Sequence, residues 1–378
     1  MDFALNEEQT LLRDSVAKFS ERQTETPAKR IELDADGSLS ARSWSAMAEF
    51  GWLLIPFPES LGGLGGKIED VALLMEEFGK GLLRVPYIEN IMLAGQLMSR
   101  GGYRAGDPIA ALLEGNRQFA LAVQERQGRQ SMYDIRTKAT KTSDGYLITG
   151  RKDLVMNGGA ADTLVVLART SGGQYEKDGL TLFVVDADAP GITRTPLPFI
   201  DGTRAANFDF NEVPVSSDAV IGAVDAAWDI LWPTLQEARI AMCAEAVGLM
   251  DSLYRKTVEY SKTRVQFDVP IGSFQALQHR MVDMFMATEQ ARSMLYRAIC
   301  EWQQDEPTRD RTVSAMKAHI GKSGRRVGEE AIQIHGGMGM TDELDIGHYV
   351  KRLMVLNNWM GSADDCLEEF ASETGNNL

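Results

Sequence analysis

One stretch of this sequence carries residues whose type and spacing suit a phosphate-bearing ligand. Near the C-terminus runs Gln333-Ile334-His335-Gly336-Gly337-Met338-Gly339. Glycines let a backbone approach a phosphate or a ribose, and the exposed N–H groups can satisfy its oxygens. A glycine turn between two helices has the same composition, so both meanings stand at this point. Arg264 closes an amphipathic helical stretch, where the helix dipole by itself favours a cation. Metal chemistry finds no support: the four histidines show no ligand spacing, and His335 with His348 is too loose a pair. The three cysteines, Cys243, Cys300 and Cys366, are odd in number and far apart, which is no disulfide framework and suits a reducing compartment.

The elements that must position these residues come in three textures. The 378 residues allow two or three domains around a large core, and 44% apolar with 25% charged residues is an ordinary globular composition. A net charge of -15 argues against nucleic acid or an anionic membrane as the main partner. No run approaches the ~20 apolar residues of a membrane span. Asp2, Glu7 and Glu8 are the opposite of a basic signal-peptide start, so the expected location is the cytoplasm.

Residues 1–115 read as a helical N-terminal domain. Asn6 is a candidate N-cap, with Leu11, Leu12, Val16 and Phe19 at helical spacing behind it. Residues 51–66 form a loop punctuated by glycine and proline, and helix returns over 68–81. Residues 116–224 read as a strand-rich middle domain, with β-branched runs from Phe119, Tyr146, Thr163 and Leu180 separated by turn signals. Residues 225–378 read as long helices. Ile240, Cys243, Ala244, Val247, Tyr254 and Val258 trace one apolar stripe; Met281, Met284, Phe285, Ala291, Leu295, Ile299 and Trp302 trace another. Pro270-Ile271-Gly272 and Glu306-Pro307 break this part into antiparallel pieces, giving an α+β chain that ends in a bundle.

Four stretches in this order and spacing resemble the acyl-CoA dehydrogenase family across nearly the whole chain. They are Gly51-Trp52, Ile55-Pro56 and Pro58-Glu59 with Gly62–Gly65; Gly150–Asp153 with Asn157–Asp162; Thr263–Asp268 with Pro270–Gln275; and Gln333–Gly339. The resemblance implies a helical N-terminal domain, a β-barrel middle domain and a C-terminal four-helix bundle, assembled as a tetramer. It also implies FAD held between two subunits and α,β-dehydrogenation of an acyl-CoA thioester. On this resemblance Arg264, with Phe267, Phe274 and Gln275, serves the flavin pyrophosphate, a task suited to a planar, permanently charged guanidinium. Gln333, Gly336 and Gly337 serve the flavin of the neighbouring subunit. The family's flavin loop corresponds to Gln124–Ser131 here, in which Glu125 is retained while Gln124, Ser131 and Met156 remain as candidate contacts. Arg126 and Arg129 read equally as partners of CoA phosphates or as solvated loop charges.

The family's chemistry needs a general base within reach of the substrate's α-proton while flavin N5 accepts hydride. The family's glutamate, followed by Gly-Thr, falls on Met360-Gly361-Ser362. Gly361 and Ser362 keep the character of the motif, but a thioether takes no proton at neutral pH and suits an apolar floor instead. The family's alternative base position, just before an arginine on the first bundle helix, holds Ala238 before Arg239. Glu237 is one residue further back, a turn of about 100° on a helix. It is the remaining candidate base, with a plain helix-start carboxylate as the other meaning. Asp364 and Asp365 read as helix-start residues.

The expectation is therefore a flavoprotein acting on acyl-CoA as the base-lacking subunit of a mixed tetramer, or as a homotetramer with a relocated base. A flavin monooxygenase on the same fold and a non-catalytic partner subunit are the alternatives. His348–Leu353 and Leu356–Asn358 resemble bacterial relatives that handle dicarboxylyl or steroid side chains, which points to lipid or steroid catabolism. Eighteen methionines suit a wide adaptable pocket, or simply the core.

Overall fold

A computed structural model describes residues 4–22, 38–129 and 131–375. Asp2 and Gln130 of the stretches discussed above lie outside the described residues. The order is α1 (Glu7–Arg22), α2 (Ser38–Glu49) and α3 (Ile68–Gly81), then a π-helical segment Ile88–Gly95 running into α4 (Gln96–Arg100), and α5 (Pro108–Leu113). Eight strands follow: β1 (Phe119–Ala122), β2 (Lys138–Lys141), β3 (Gly145–Val155), β4 (Thr163–Arg169), β5 (Leu180–Asp186), β6 (Ile192–Pro198), β7 (Arg204–Ser216) and β8 (Val220–Ile221). The chain closes with α6 (Trp228–Thr263), α7 (Gln275–Glu301), α8 (Glu306–His335), α9 (Ile346–Asn358) and α10 (Ala363–Gly375).

Two compact units result: Ser40–Lys67 with Val85–Ala238, and Met1–Leu39 with Ile68–Arg84 and Arg239–Leu378. In the first, the sheet order is β6-β7-β3-β2-β4-β5-β8, with β1 pairing β4 in parallel. Phe208 and Phe210 of β7 share one buried cluster with Phe183 and Val185 of β5, although these strands stand four apart in that order. The sheet must curl to bring them together, which is the barrel geometry expected of this segment. Strands β6 and β7 escape a reading by apolar runs because β6 has only Ile192 and Leu197 among threonine, arginine and proline, and polar residues interrupt the apolar ones of β7.

The helical unit starts with a capping box. Gln9 N–H donates to Asn6 Oδ1 at 2.8 Å, and Asn6 N–H donates to Gln9 Oε1 at 3.2 Å, fixing the first turn of α1. Helix α3 crosses α6 with backbones nearly touching. A Cβ on Gly79 would stand 2.1 Å from the Glu245 carbonyl oxygen, and one on Gly248 would stand 1.9 Å from that of Glu76. Only glycine fits at either crossing point. A buried pair ties α6 to α9: Arg352 donates to the two Glu245 oxygens at 2.6 and 2.9 Å. The α7 stripe differs from expectation at Phe285, which is 45% exposed while Met281, Met284, Ala291 and Leu295 are buried.

Candidate cofactor-binding and catalytic site

In the helical unit, α6 ends at Thr263 and the next residues fold into a two-residue hairpin, with Val269 opposite Gln266 and Pro270 opposite Val265. Its tip residues Phe267 and Asp268 take φ of 55° and 65°, the pattern of a type I′ turn. Aspartate tolerates this conformation; phenylalanine does so at a cost of about 1–2 kcal/mol. The turn leaves the Phe267 ring 87% exposed, edge-on to the Phe274 ring, which is also exposed, with centroids 6.1 Å apart. An aromatic pair exposed on a strained turn is open to contact with a ligand. Arg264 and Gln275 flank it and are exposed, and among the described residues the Arg264 guanidinium has no carboxylate partner.

At the end of α8, Gly336 takes φ 61° and ψ -139°. A Cβ on Gly336 or Gly337 would meet nothing within 4 Å, so the glycines leave open space beside the backbone rather than serving a tight contact. Gln333, one turn earlier, is exposed. A free guanidinium, a bare glycine backbone and an exposed aromatic pair are what a dinucleotide needs: charge for its phosphates, N–H groups for its oxygens and rings for its planar parts. These residues fit FAD.

The turn after α9 carries Met360 and Gly361. Met360 is buried and left-handed, with φ 56°, and Gly361 follows with φ 100°. Three supports fix this turn. Arg239 Nε donates to the Met360 carbonyl at 3.0 Å, and its other nitrogens hold Glu369 at 2.7 and 3.0 Å. Lys317, itself buried, donates to the carbonyls of Leu356 and Asn357 at 2.9 and 3.1 Å and so caps α9. Ser362 is the N-cap of α10: its N–H donates to Asp365 Oδ2 at 2.8 Å, and the Asp365 N–H returns to its hydroxyl at 3.2 Å. The cap occupies the Ser362 hydroxyl, and the carboxylates of this turn are already engaged, Glu369 by Arg239 and Asp365 by Ser362.

In the sheet-bearing unit, Glu237 lies in the third turn of α6 and is 9% exposed. Its carboxylate is bound by Arg100 NH2, whose NH1 donates to Thr234 Oγ1 at 2.7 Å. Burial pushes the Glu237 carboxyl above its ordinary range, and the Arg100 charge pulls it back only in part. The loop 124–136 is held from two sides. Glu125 accepts from Lys152 Nζ at 2.7 Å, from the Arg136 and Thr137 N–H groups at 2.8 and 3.0 Å, and from Gln127 at 2.7 Å. Arg169 donates to six backbone carbonyls, those of Tyr133, Ile135, Ser171, Gln174, Glu176 and Asp178. Within this loop the Gln124 carbonyl accepts from Asp153 N–H at 2.9 Å and its amide donates to the Arg129 carbonyl at 3.1 Å. Ser131 Oγ is buried with no hydrogen-bond partner among the described residues, Met156 is 5% exposed, and Arg126 and Arg129 are exposed.

Sequence reasoning missed Arg100, Arg169, Arg239, Lys152 and Lys317. Arg100, Arg239, Lys152 and Lys317 pair with residues far along the chain, and Arg169 gathers carbonyls from two loops; a single sequence carries no signal for such pairings. Among the described residues no cluster of histidine, cysteine, aspartate or glutamate could hold a metal, and no helix is long and apolar enough to cross a membrane.

Comparison with known proteins agrees with this geometry over most of the chain. Residues 6–104 match the acyl-CoA dehydrogenase N-terminal domain, 120–213 the middle domain and 228–372 the C-terminal domain. A probable acyl-CoA dehydrogenase, YngJ of Bacillus subtilis, is 29% identical over 96% of this chain and 97% of its own length. Among solved structures, PigA with FAD and proline is 25% identical at a TM-score of 0.90, covering 100% of both chains. The ChsE4-ChsE5 complex from Mycobacterium tuberculosis is 27% identical at a TM-score of 0.87, covering 99% of both chains. With all three domains matched in order, the chain belongs to the acyl-CoA dehydrogenase family.

Proposed function

We propose that this chain takes part in FAD-dependent α,β-dehydrogenation of an acyl-CoA thioester, as the base-lacking subunit of a mixed tetramer. The observation that carries this reading is the loss of a free carboxylate at both base positions. Met360 stands at one, in a turn that keeps all its supports, and the nearest acid to the other, Glu237, is bound by Arg100. Bound FAD supplies the hydride acceptor. Arg264 would meet its pyrophosphate, Phe267, Phe274 and Gln275 its flanks, and Gln333, Gly336 and Gly337 would offer backbone and amide contacts. Gln124, Ser131 and Met156 would face the flavin and thioester, with Gly361 shaping the floor beside Met360. The orphaned Ser131 hydroxyl favours a ligand there, because an unpartnered buried hydroxyl is costly. ChsE4-ChsE5, a complex of two named chains, gives the mixed assembly a precedent on this fold. A bulky or dicarboxylyl acyl group, handled in lipid or steroid breakdown in the cytoplasm, is the substrate class we assign. The chain organises as residues 1–115, 116–224 and 225–378 on this reading.

A second reading keeps Glu237 as the base of a self-sufficient enzyme. It draws on burial, which raises the carboxyl towards a working proton acceptor. Anaerobic visible spectra of the purified chain, before and after acyl-CoA addition, separate the two. The base-lacking reading expects a yellow protein that no thioester bleaches, and bleaching in Met360→Glu. Bleaching of the unaltered protein that Glu237→Gln abolishes would sink it and establish the second.

A further inference from the structure

Tyr260 and His335 have no part in the assignments above, yet each adjoins a residue of the proposed dinucleotide edge. Tyr260 lies on the last turn of α6, and its carbonyl accepts the Arg264 N–H at 2.9 Å. His335 ends α8 directly before Gly336. The two rings stack with centroids 4.2 Å apart and planes 25° apart. The imidazole is not free to turn, because its Nδ1 lies 2.8 Å from the Ala331 carbonyl. A carbonyl only accepts, so Nδ1 carries the proton and Nε2 is left as the acceptor. The ring is 5% exposed, and burial holds its pKa below the ordinary histidine range, against the pull of the Ala331 carbonyl and Asp345. The Tyr260 hydroxyl also reaches the His335 carbonyl, at a long 3.5 Å.

Helix ends fray, and here two of them carry the groups that must meet one ligand. Arg264 hangs from the end of α6 and Gly336 from the end of α8. The stack is the ring contact between the two ends, four residues before the arginine and one before the glycine. A phosphate held by a guanidinium on one side and backbone N–H groups on the other is sensitive to their separation.

We infer that Tyr260 and His335 are a positioning couple that fixes the Arg264 turn against the Gly336–Gly337 turn so that one dinucleotide engages both. This rests on the FAD reading above. Neither residue touches the cofactor; both act through their neighbours.

The test titrates FAD release from the purified holoprotein by recovered flavin fluorescence, for the wild type, His335→Ala, Tyr260→Ala, the double variant and His335→Phe. Each alanine variant is expected to bind FAD on the order of tenfold more weakly. The double variant should be no weaker than the worse single, since a couple fails once. His335→Phe, which keeps the ring, should bind like wild type. Melting temperatures of the stripped proteins are recorded in parallel. Lower melting temperatures with unchanged FAD affinity would leave the pair a packing contact and overturn the inference. Independent, additive losses would overturn it as well. If the alanine variants do not fold, Tyr260→Leu, which keeps bulk without a ring, carries the same comparison. A wild type that binds no FAD removes the FAD reading and this inference together, whereas equal binding by wild type and variants removes the inference alone.

Discussion

Glu125 is the acid that the flavin-loop resemblance retains, and its four hydrogen bonds are all internal. Burial would raise its carboxyl, but the charge of Lys152 and hydrogen bonds from Lys152, Thr137 and Gln127 outweigh burial and hold it at about 2. Its role is to close the loop that carries Gln124 and Ser131. Lys152 is wholly buried, and that burial lowers its own pKa to about 8, the Glu125 charge opposing. The sign of the pH effect follows. The folded carboxyl binds its proton at about 2 and an unfolded one at its ordinary 4.5, so the unfolded state gains protons first as the pH falls. The stabilisation is full above that ordinary value and drains away towards about 2. Urea unfolding between neutral pH and pH 2 should show this loss, and Glu125→Gln should flatten that limb of the curve. Lys152→Met goes further by leaving a buried carboxylate without its cation. It should cost about 3–5 kcal/mol at neutral pH. A loss under 1 kcal/mol would mean the loop's N–H donors suffice without the lysine.

Elements show which parts of this molecule a single sequence discloses. The helix Ile68–Gly81 and the capped start at Asn6 were legible because their signals are local: periodicity, a side chain three residues from its partner, acids in the first turn. The four β-branched strands were legible for the same reason. The curl of the sheet, the two half-exposed strands at its β6 end and the Arg100–Glu237 pair were not, since they depend on partners that only the fold brings close. The hairpin after α6 lies between these cases. Its position followed from the motif, but the positive φ at Phe267 is a property of the folded turn. That strain yields a paired prediction. Phe267→Gly relieves a left-handed phenylalanine and should stabilise the cofactor-free protein by up to about 1 kcal/mol, the glycine's greater chain entropy offsetting part of the relief. The same change removes the exposed ring and should weaken FAD. Melting temperature and FAD affinity therefore move in opposite directions if the hairpin is strained for binding. If both fall, the ring's contact with Phe274 was holding the turn.

At the scale of the whole molecule, the exposed face of α7 asks for a cover. Val282, Phe285 and Met286 are 52%, 45% and 47% exposed, and Tyr296 extends the row at 38%. Residues three and four apart share one helix face, so Val282, Phe285 and Met286 form a short apolar strip on an otherwise acidic protein, with Tyr296 on the same face beyond Glu289 and Arg292. Such strips on a soluble chain mark contact surfaces. Phe285 in particular interrupts the buried stripe that periodicity assigns to it; its ring meets that of Tyr254 with centroids 5.6 Å apart, and a neighbouring chain would cover the part left exposed. The proposed tetramer supplies one, either a second copy or a related glutamate-bearing chain. Phe285→Glu keeps the helix, adds charge at the centre of the strip and leaves the buried stripe alone. Sedimentation velocity of the wild type should then report an oligomer and that of Phe285→Glu a smaller species. Flavin content decides what the oligomer is for. If Gln333 and its glycines serve a neighbouring subunit's FAD, the smaller species must lose the cofactor although Phe285 lies outside the proposed FAD contacts. A dissociated protein that keeps its flavin would show that each chain holds FAD alone, and the mixed-assembly reading would then lose its structural basis.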